Sequence, residues 1–169
     1  QSKFVEGLRV TDKEIIKVVE EVLSQDINKE IVDSINESGA KAVGLSGNQN
    51  NLIKADKVQV EVKDTDSNIE KLVDIGFVGQ PLNVNIELIM SYVNNGEIPV
   101  IAPLGQDSQN NCYNINADTA AGFIAGQVKA SKLLLLTDIA GILDKNNKLI
   151  STLSLKRAKE IAEENFISG

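Results

Sequence analysis

The sequence predicts an α/β fold on three observations. Apolar residues recur at helical spacing in several segments, short apolar runs bounded by glycine, proline or asparagine lie between them, and the two patterns alternate along the chain. In order, Thr11 with Glu14 has the spacing of a capping box, and Ile15, Val18, Val19 and Val22 follow it as the apolar stripe of a first helix. A second helix carries Ile27, Ile31 and Ile35 on one stripe, with Gly39 as its stop. Residues 41–45 read as a short strand and Ser46-Gly47-Asn48 as the turn after it. Polar and apolar residues alternate over 52–63 through Val58, Val60 and Val62, as in a half-exposed ribbon; 64–68 is a polar turn. Residues 76–84 make a further strand whose Pro81 suits an edge or a bulge. A helix over 85–94 ends at Asn95-Gly96, and Ile98-Pro99-Val100-Ile101-Ala102-Pro103 is a buried strand end. The polar loop 105–111 turns a hairpin into Tyr113-Asn114-Ile115-Asn116, and a helix rich in small residues occupies 118–129. Lys132-Leu133-Leu134-Leu135-Leu136 reads as a continuous apolar strand of the parallel-sheet kind, and a last helix covers 154–165. A boundary falls near Ala130, where a new apolar strand begins after the mixed sheet.

Composition narrows the chemistry. With 169 residues, 42% hydrophobic and 24% charged, the chain has enough apolar mass for a real core, in one domain or one domain plus part of another. No run approaches the ~18 consecutive apolar residues of a membrane helix, and the first twenty residues mix charges with apolar positions, unlike a signal peptide. The start at Gln1 and the end at Ser168-Gly169, straight after a helical pattern, lead us to expect a piece of a longer chain. There is no histidine, which removes Ser-His-Asp and Cys-His catalysis and histidine-held metals. The lone Cys112 allows neither an internal disulfide nor a cysteine zinc site; it reads as a free, inert thiol in a reducing compartment. The net charge of −7 comes without a basic stripe, which argues against nucleic acid as a partner. Small anions remain possible ligands, bound by a few placed donors and helix N-termini.

Three places put polar side chains where α/β sheets bind ligands, beyond the carboxyl ends of strands. At Asn114-x-Asn116-x-Asp118, strand alternation puts both asparagines on one face, and Asp118 opens the next helix. Two amides suit a carboxylate or an acetamide. The alternative is structural: Asp118 as N-cap, with the asparagines satisfying turn backbone. Thr137-Asp138, at the end of the apolar run, either meets a nucleotide or caps a turn. Arg9, just ahead of a helix start, either clamps a carboxylate through its planar fork or is an ordinary surface residue. No Gly-x-x-x-x-Gly-Lys-Ser/Thr phosphate loop is present.

At Tyr113-Asn114-Ile115-Asn116-Ala117-Asp118-Thr119-Ala120-Ala121-Gly122 the sequence resembles the acetylglutamate kinases of the amino-acid-kinase superfamily. Phe4-Val5-Glu6-Gly7-Leu8-Arg9-Val10-Thr11-Asp12, Ala42-Val43-Gly44-Leu45-Ser46-Gly47, Gly76-Phe77-Val78-Gly79, the Ile98 to Pro103 run and Leu135-Leu136-Thr137-Asp138-Ile139-Ala140-Gly141-Ile142-Leu143 are similar too, in the same order. The resemblance implies a three-layer sandwich with a mainly parallel sheet. It implies residues 1–130 as an N-acetylglutamate-binding lobe and 131–169 as the start of an ATP-binding lobe. It also implies transfer of the γ-phosphoryl of ATP, with Mg²⁺, to the side-chain carboxylate of N-acetyl-L-glutamate in arginine biosynthesis. By position, Arg9 grips the α-carboxylate side of the substrate and Asn114 its polar backbone-like end. Asp118 holds the site's lysines, and Thr137 and Asp138 begin the ATP stretch.

The partners that follow are a second copy in a homodimer or a hexamer, arginine as inhibitor and the PII signalling protein. The compartment is the cytoplasm, or the plastid stroma in an alga. The sequence also departs from the pattern. The family's Gly-rich turn, its Gly-Gly contact and both phosphoryl lysines fall outside this chain. Asn48-Gln49-Asn50 replaces a Lys-Asp-Gly turn, and Pro81 replaces a small or acidic residue. Two rival functions stay open: a kinase for another acetylated acidic amino acid such as N-acetyl-aminoadipate, and a non-catalytic amino-acid sensor on the same fold.

Overall fold

A computed structural model describes residues 4–5, 8–63, 70–137, 139, 141–144 and 148–163. The polar turn expected at 64–68 and the Asp138 position lie outside the described residues. The chain divides into two compact units, Gln1–Leu133 and Leu134–Gly169.

The first unit has the α/β character expected from the alternating patterns. A short hairpin, β1 (Phe4–Val5) and β2 (Leu8–Arg9), precedes a helical segment that runs from Lys13 to Glu37. That segment begins as α1 (Lys13–Glu21), passes through a π-helical stretch at Val22–Ile27 and continues as α2 (Asn28–Glu37). The two helices read from the stripes are therefore one continuous helical run, and the apparent break marks a local change of pitch. Its start also differs from the capping box expected at Thr11. Asp12 is the N-cap, its carboxylate accepting from the amides of Glu14 and Ile15 at 2.9 Å each. Both residue types cap well, and tertiary pairing decided between them, because Thr11 is fully buried in a bridge to Gly76. At the other end, Gly39 follows the Ser38 cap with φ +92°, the left-handed stop expected there.

β3 (Ala42–Ser46) pairs in parallel with β6 (Ile98–Ala102) over five positions, and α2 and α3 (Ile86–Asn94) both pack against this pair. Asn28, at the head of α2, is 6% exposed, and its amide donates to the Val100 carbonyl at 2.9 Å. A buried polar side chain of this kind needs such a partner, and this one ties the helix to the strand.

The ribbon expected at 52–63 is β4 (Ile53–Lys63), paired antiparallel with the long β5 (Glu70–Val84). Its register slips beside Pro81, the bulge that the proline suggested. The sequence did not reveal that this ribbon closes with β7 (Leu104–Gln106) and β8 (Cys112–Ile115) into a four-stranded barrel, in the order β4-β5-β8-β7. β7 and β8 form the expected hairpin, and α4 (Ala117–Gln127) follows. The main core gathers Leu45, Leu52, Ile53, Ala55, Val84, Ile89, Ile115 and Ala120, and a smaller one gathers Val60, Ile75 and Val78.

The second unit corrects one expectation. The run Leu134-Leu135-Leu136 forms no strand; these residues are 82%, 51% and 99% exposed. Apolar composition makes a parallel strand only where a partner edge satisfies its backbone groups. Among the described residues no edge pairs with this run. What the unit does hold is an antiparallel bridge between Leu143 and Leu149 and α5 (Leu155–Glu163). The hydroxyl of Ser154 accepts from the amide of Arg157 at the start of that helix. Among the described residues no helix is long and apolar enough to cross a membrane.

Candidate functional site

Asn114 lies in β8, between β5 and β7, opposite Val78 on one side and Leu104 on the other. α1 packs against the same strand. The half-buried Asn114 lines a shallow cavity of about 380 Å³, whose other walls are Val18, Val19, Val22 and Leu23. One amide thus stands in an otherwise aliphatic hollow, and among the described residues it makes no hydrogen bond. A ligand that brings a carboxylate or an acetamide would satisfy it.

Two residues on, the pair anticipated as one face separates. Asn116 leaves the strand and caps α4, its side-chain oxygen accepting from the Thr119 amide at 3.0 Å. The structural alternative for Asp118 therefore fails, because Asn116 holds the cap and Asp118 sits exposed in the first turn of α4. Its carboxylate makes no hydrogen bond or ion pair among the described residues. A helix N-terminus favours a negative charge there.

Arg9 ends the β1–β2 hairpin, paired with Phe4, and Thr11 two residues on bridges to β5. In the second unit, Thr137 is exposed, and its hydroxyl accepts from the Ile139 amide at 3.4 Å, a local turn contact. The structure thus brings Asn114 and Asp118 to the two sides of one strand-to-helix junction.

Around the cavity, sequence reasoning missed a network that fastens α1 to the turn after β3. The Asn48 amide, 7% exposed, donates to the Glu20 carboxylate at 2.6 Å and accepts from the Ser46 hydroxyl at 2.5 Å. The departure at Asn48 is thus built into the fold. Burial first, then the nearby Glu20 charge, pushes the Cys112 thiol up to about 12, with a hydrogen bond from Asn48 opposing. The thiol stays protonated and unreactive at neutral pH.

On the hairpin, burial works against the Asp107 charge. Hydrogen bonds from Asn111, the Gln109 amide and Tyr113 outweigh it and hold Asp107 below its usual value. Burial and then the Asp107 hydrogen bond and charge push Tyr113 up to about 12. The sign follows directly. The folded protein favours the neutral phenol, so this contribution to stability is complete below about pH 10, the ordinary tyrosine value. It fades as pH rises from there through the folded value. A Tyr92→Phe variant leaves Tyr113 as the single phenol, since the chain has two tyrosines. Its phenolate absorbance should rise near pH 12, and Asp107→Asn should shift that rise downward. A rise at the ordinary value would mean that Tyr113 is not held as described.

A family model described as "Amino acid kinase family" matches residues 1–169. The chain belongs to the amino acid kinase family. Within it, the chain is 52% identical over its whole length to the acetylglutamate kinase of Rhodospirillum centenum and 49% identical to that of Afipia carboxidovorans. It covers 55% and 57% of those proteins, so it spans little more than half the length of these relatives. Among solved structures it is similar to smu.665 from Streptococcus mutans, with TM-score 0.78 and 25% identity, covering all of this chain and 64% of that one. N-acetylglutamate synthase from Neisseria gonorrhoeae, complexed with coenzyme A and N-acetyl-glutamate, shares the fold at TM-score 0.73 and 23% identity. It covers 96% of this chain, which covers 35% of it. Membership in an amino acid kinase family agrees with the α/β architecture.

Proposed function

We propose that the complete protein carrying this chain transfers the γ-phosphoryl group of ATP to the side-chain carboxylate of N-acetyl-L-glutamate, a step in arginine biosynthesis. Residues 1–130 form most of its amino-acid-binding lobe and 131–169 begin its ATP-binding lobe. The half-buried amide of Asn114, which makes no side-chain hydrogen bond among the described residues of its aliphatic cavity, carries the reading, set beside whole-chain identities of about 50% to acetylglutamate kinases. Asn114 holds the polar backbone-like end of the substrate. Arg9 grips its α-carboxylate side through a two-pronged contact. Asp118 orients the lysines that neutralise charge on the transferred group, lysines supplied from outside this chain. Thr137 and Asp138 open the nucleotide-binding stretch.

ATP supplies the phosphoryl group and Mg²⁺ screens its charge. Among the described residues no three acidic, cysteine or histidine side chains converge on one point as a metal cage. Magnesium usually rides on a nucleotide's phosphates with one or two carboxylates beside it, and no step is assigned to it here. The same reading places the enzyme in the cytoplasm, with arginine as inhibitor and the PII protein as a partner. It also gives the enzyme a homodimer or hexamer. Ile15, Ile27 and Ile31, all more than a third exposed along one helical run, support such self-association.

The test is steady-state kinetics of the complete protein with each substrate varied. Arg9→Lys keeps the charge and loses the fork. It should raise KM for N-acetylglutamate about tenfold or more, at ~1.5–3 kcal/mol for a hydrogen bond to a charged group. Asn114→Ala should also raise that KM, and both should leave KM for ATP within about twofold. Unchanged KM values for N-acetylglutamate would remove both residues from the site. A preference for N-acetyl-aminoadipate in direct competition would replace the substrate assignment, since one methylene is worth only ~1–3 kcal/mol.

A further inference from the structure

We infer that the Ile75 to Val78 stretch of β5 is a positioning joint that holds the Arg9 strand in register with Asn114, and that Gly76 is the residue that makes the joint possible. The inference rests on the reading that Arg9 and Asn114 grip one substrate.

The joint begins as an irregularity in the ribbon. β4 and β5 pair Lys57 with Gly79 and then Gln59 with Asp74, so Ile75, Gly76, Phe77 and Val78 stand against the single Val58. Freed from the β4 ladder, this stretch pairs elsewhere. The Thr11 amide donates to the Ile75 carbonyl at 2.9 Å, and the Phe77 amide donates to the Thr11 carbonyl at 2.6 Å. One position further on, Val78 pairs with Asn114. A single piece of backbone therefore touches Thr11, two residues from Arg9, and Asn114 itself. Thr11 and Ile75 are fully buried and Val78 is 3% exposed, so the stretch has little room to slide.

Gly76 is required twice over. Its φ is +82°, where a side chain is strained. A Cβ there would lie 2.0 Å from the Thr11 carbonyl oxygen and 2.7 Å from the carbon behind it. Those are backbone atoms, so the Thr11 strand would have to move. Thr11 lies between Arg9 and the Asp12 cap of α1, and a displacement there passes along the backbone to Arg9. An error of about 1 Å in a substrate-holding group is enough to cost roughly a hundredfold in rate.

The complete protein with Gly76→Ala should show KM for N-acetylglutamate raised about tenfold or more and KM for ATP unchanged. Gly39→Ala is the comparison: its φ is +92°, yet nothing lies within 4 Å of the added carbon. That variant should lose stability through the same backbone strain and keep the wild-type KM. An unchanged KM in Gly76→Ala, or an equal rise in Gly39→Ala, overturns the joint. Should Gly76→Ala fail to fold, hydrogen exchange on the wild-type protein decides. N-acetylglutamate should slow exchange of the Thr11 and Phe77 amides about tenfold and leave the Ile98 amide, which donates to the Lys41 carbonyl, unaffected. Substrate binding without that protection also overturns it. Arg9→Lys separates the two levels: a raised KM there with a silent Gly76→Ala defeats the joint alone, and a silent Arg9→Lys defeats the site reading and the joint together.

Discussion

Asp118→Asn in the complete protein should lower kcat about a hundredfold or more while leaving KM for N-acetylglutamate and ATP nearly unchanged. The size follows from what a preorganised donor contributes where charge develops in a transition state, roughly 10²–10³ in rate. A carboxylate that orients such donors acts through them, so its loss falls on the chemical step and spares ground-state binding. The structure sharpens this test, because Asn116 and not Asp118 caps α4. Folding loses only the interaction of one exposed charge with the helix end, ~0.3–1 kcal/mol. Melting temperature should therefore hardly move, and Thr119→Ala, which alters the capped residue, should leave kcat intact. A variant with full kcat would return Asp118 to the surface.

The 169-residue chain on its own should release ADP no faster than background when given N-acetylglutamate, ATP and Mg²⁺, against ~1–100 s⁻¹ for complete kinases. It spans little more than half the length of its relatives. The resemblance puts the Gly-rich turn and both phosphoryl lysines in the remainder. The isolated chain should also be poorly soluble, since Leu134 and Leu136 are largely exposed. A coupled assay of ADP release on the purified chain reads the first outcome and sedimentation the second. Turnover at the rate of a complete kinase would mean that the phosphoryl site lies within these residues after all.

The sequence carried most of the elements whose signals are local. The helix over 85–94 and its end at Asn95-Gly96 were legible because such signals depend on a few neighbouring residues, although Asn85, read as the first helical residue, is its N-cap. The Pro81 bulge was legible for the same reason, since proline cannot donate to the ladder. Where long-range pairing decides, reading failed. Thr11 and Asp12 are equally good caps, and only the bridge to Gly76 takes Thr11 out of contention. The leucine run looks like a buried strand but acquires structure only from a partner edge. At the candidate site, Asn114 and Asn116 shared a pattern, yet Asn114 stays in β8 and Asn116 caps α4, because the strand ends between them. The Ile75 to Val78 joint left one trace, a glycine amid apolar residues, which does not announce what its backbone approaches.

The π-helical stretch at Val22–Ile27 bears on how this segment tolerates length changes. An α-helix advances about 100° per residue, and wider turns hold back the helical phase by roughly one residue. That offset lets α1 face β8 while Asn28, just beyond, still turns inward to the Val100 carbonyl. Deleting one residue between Val22 and Ile27 would let the stretch revert to α-helical pitch, and the lost residue and the recovered phase would cancel, so α2 would face as before. Asn28 would keep the Val100 carbonyl as its partner. A single-residue deletion there should therefore leave the first unit folded, with a melting temperature near that of the parent chain.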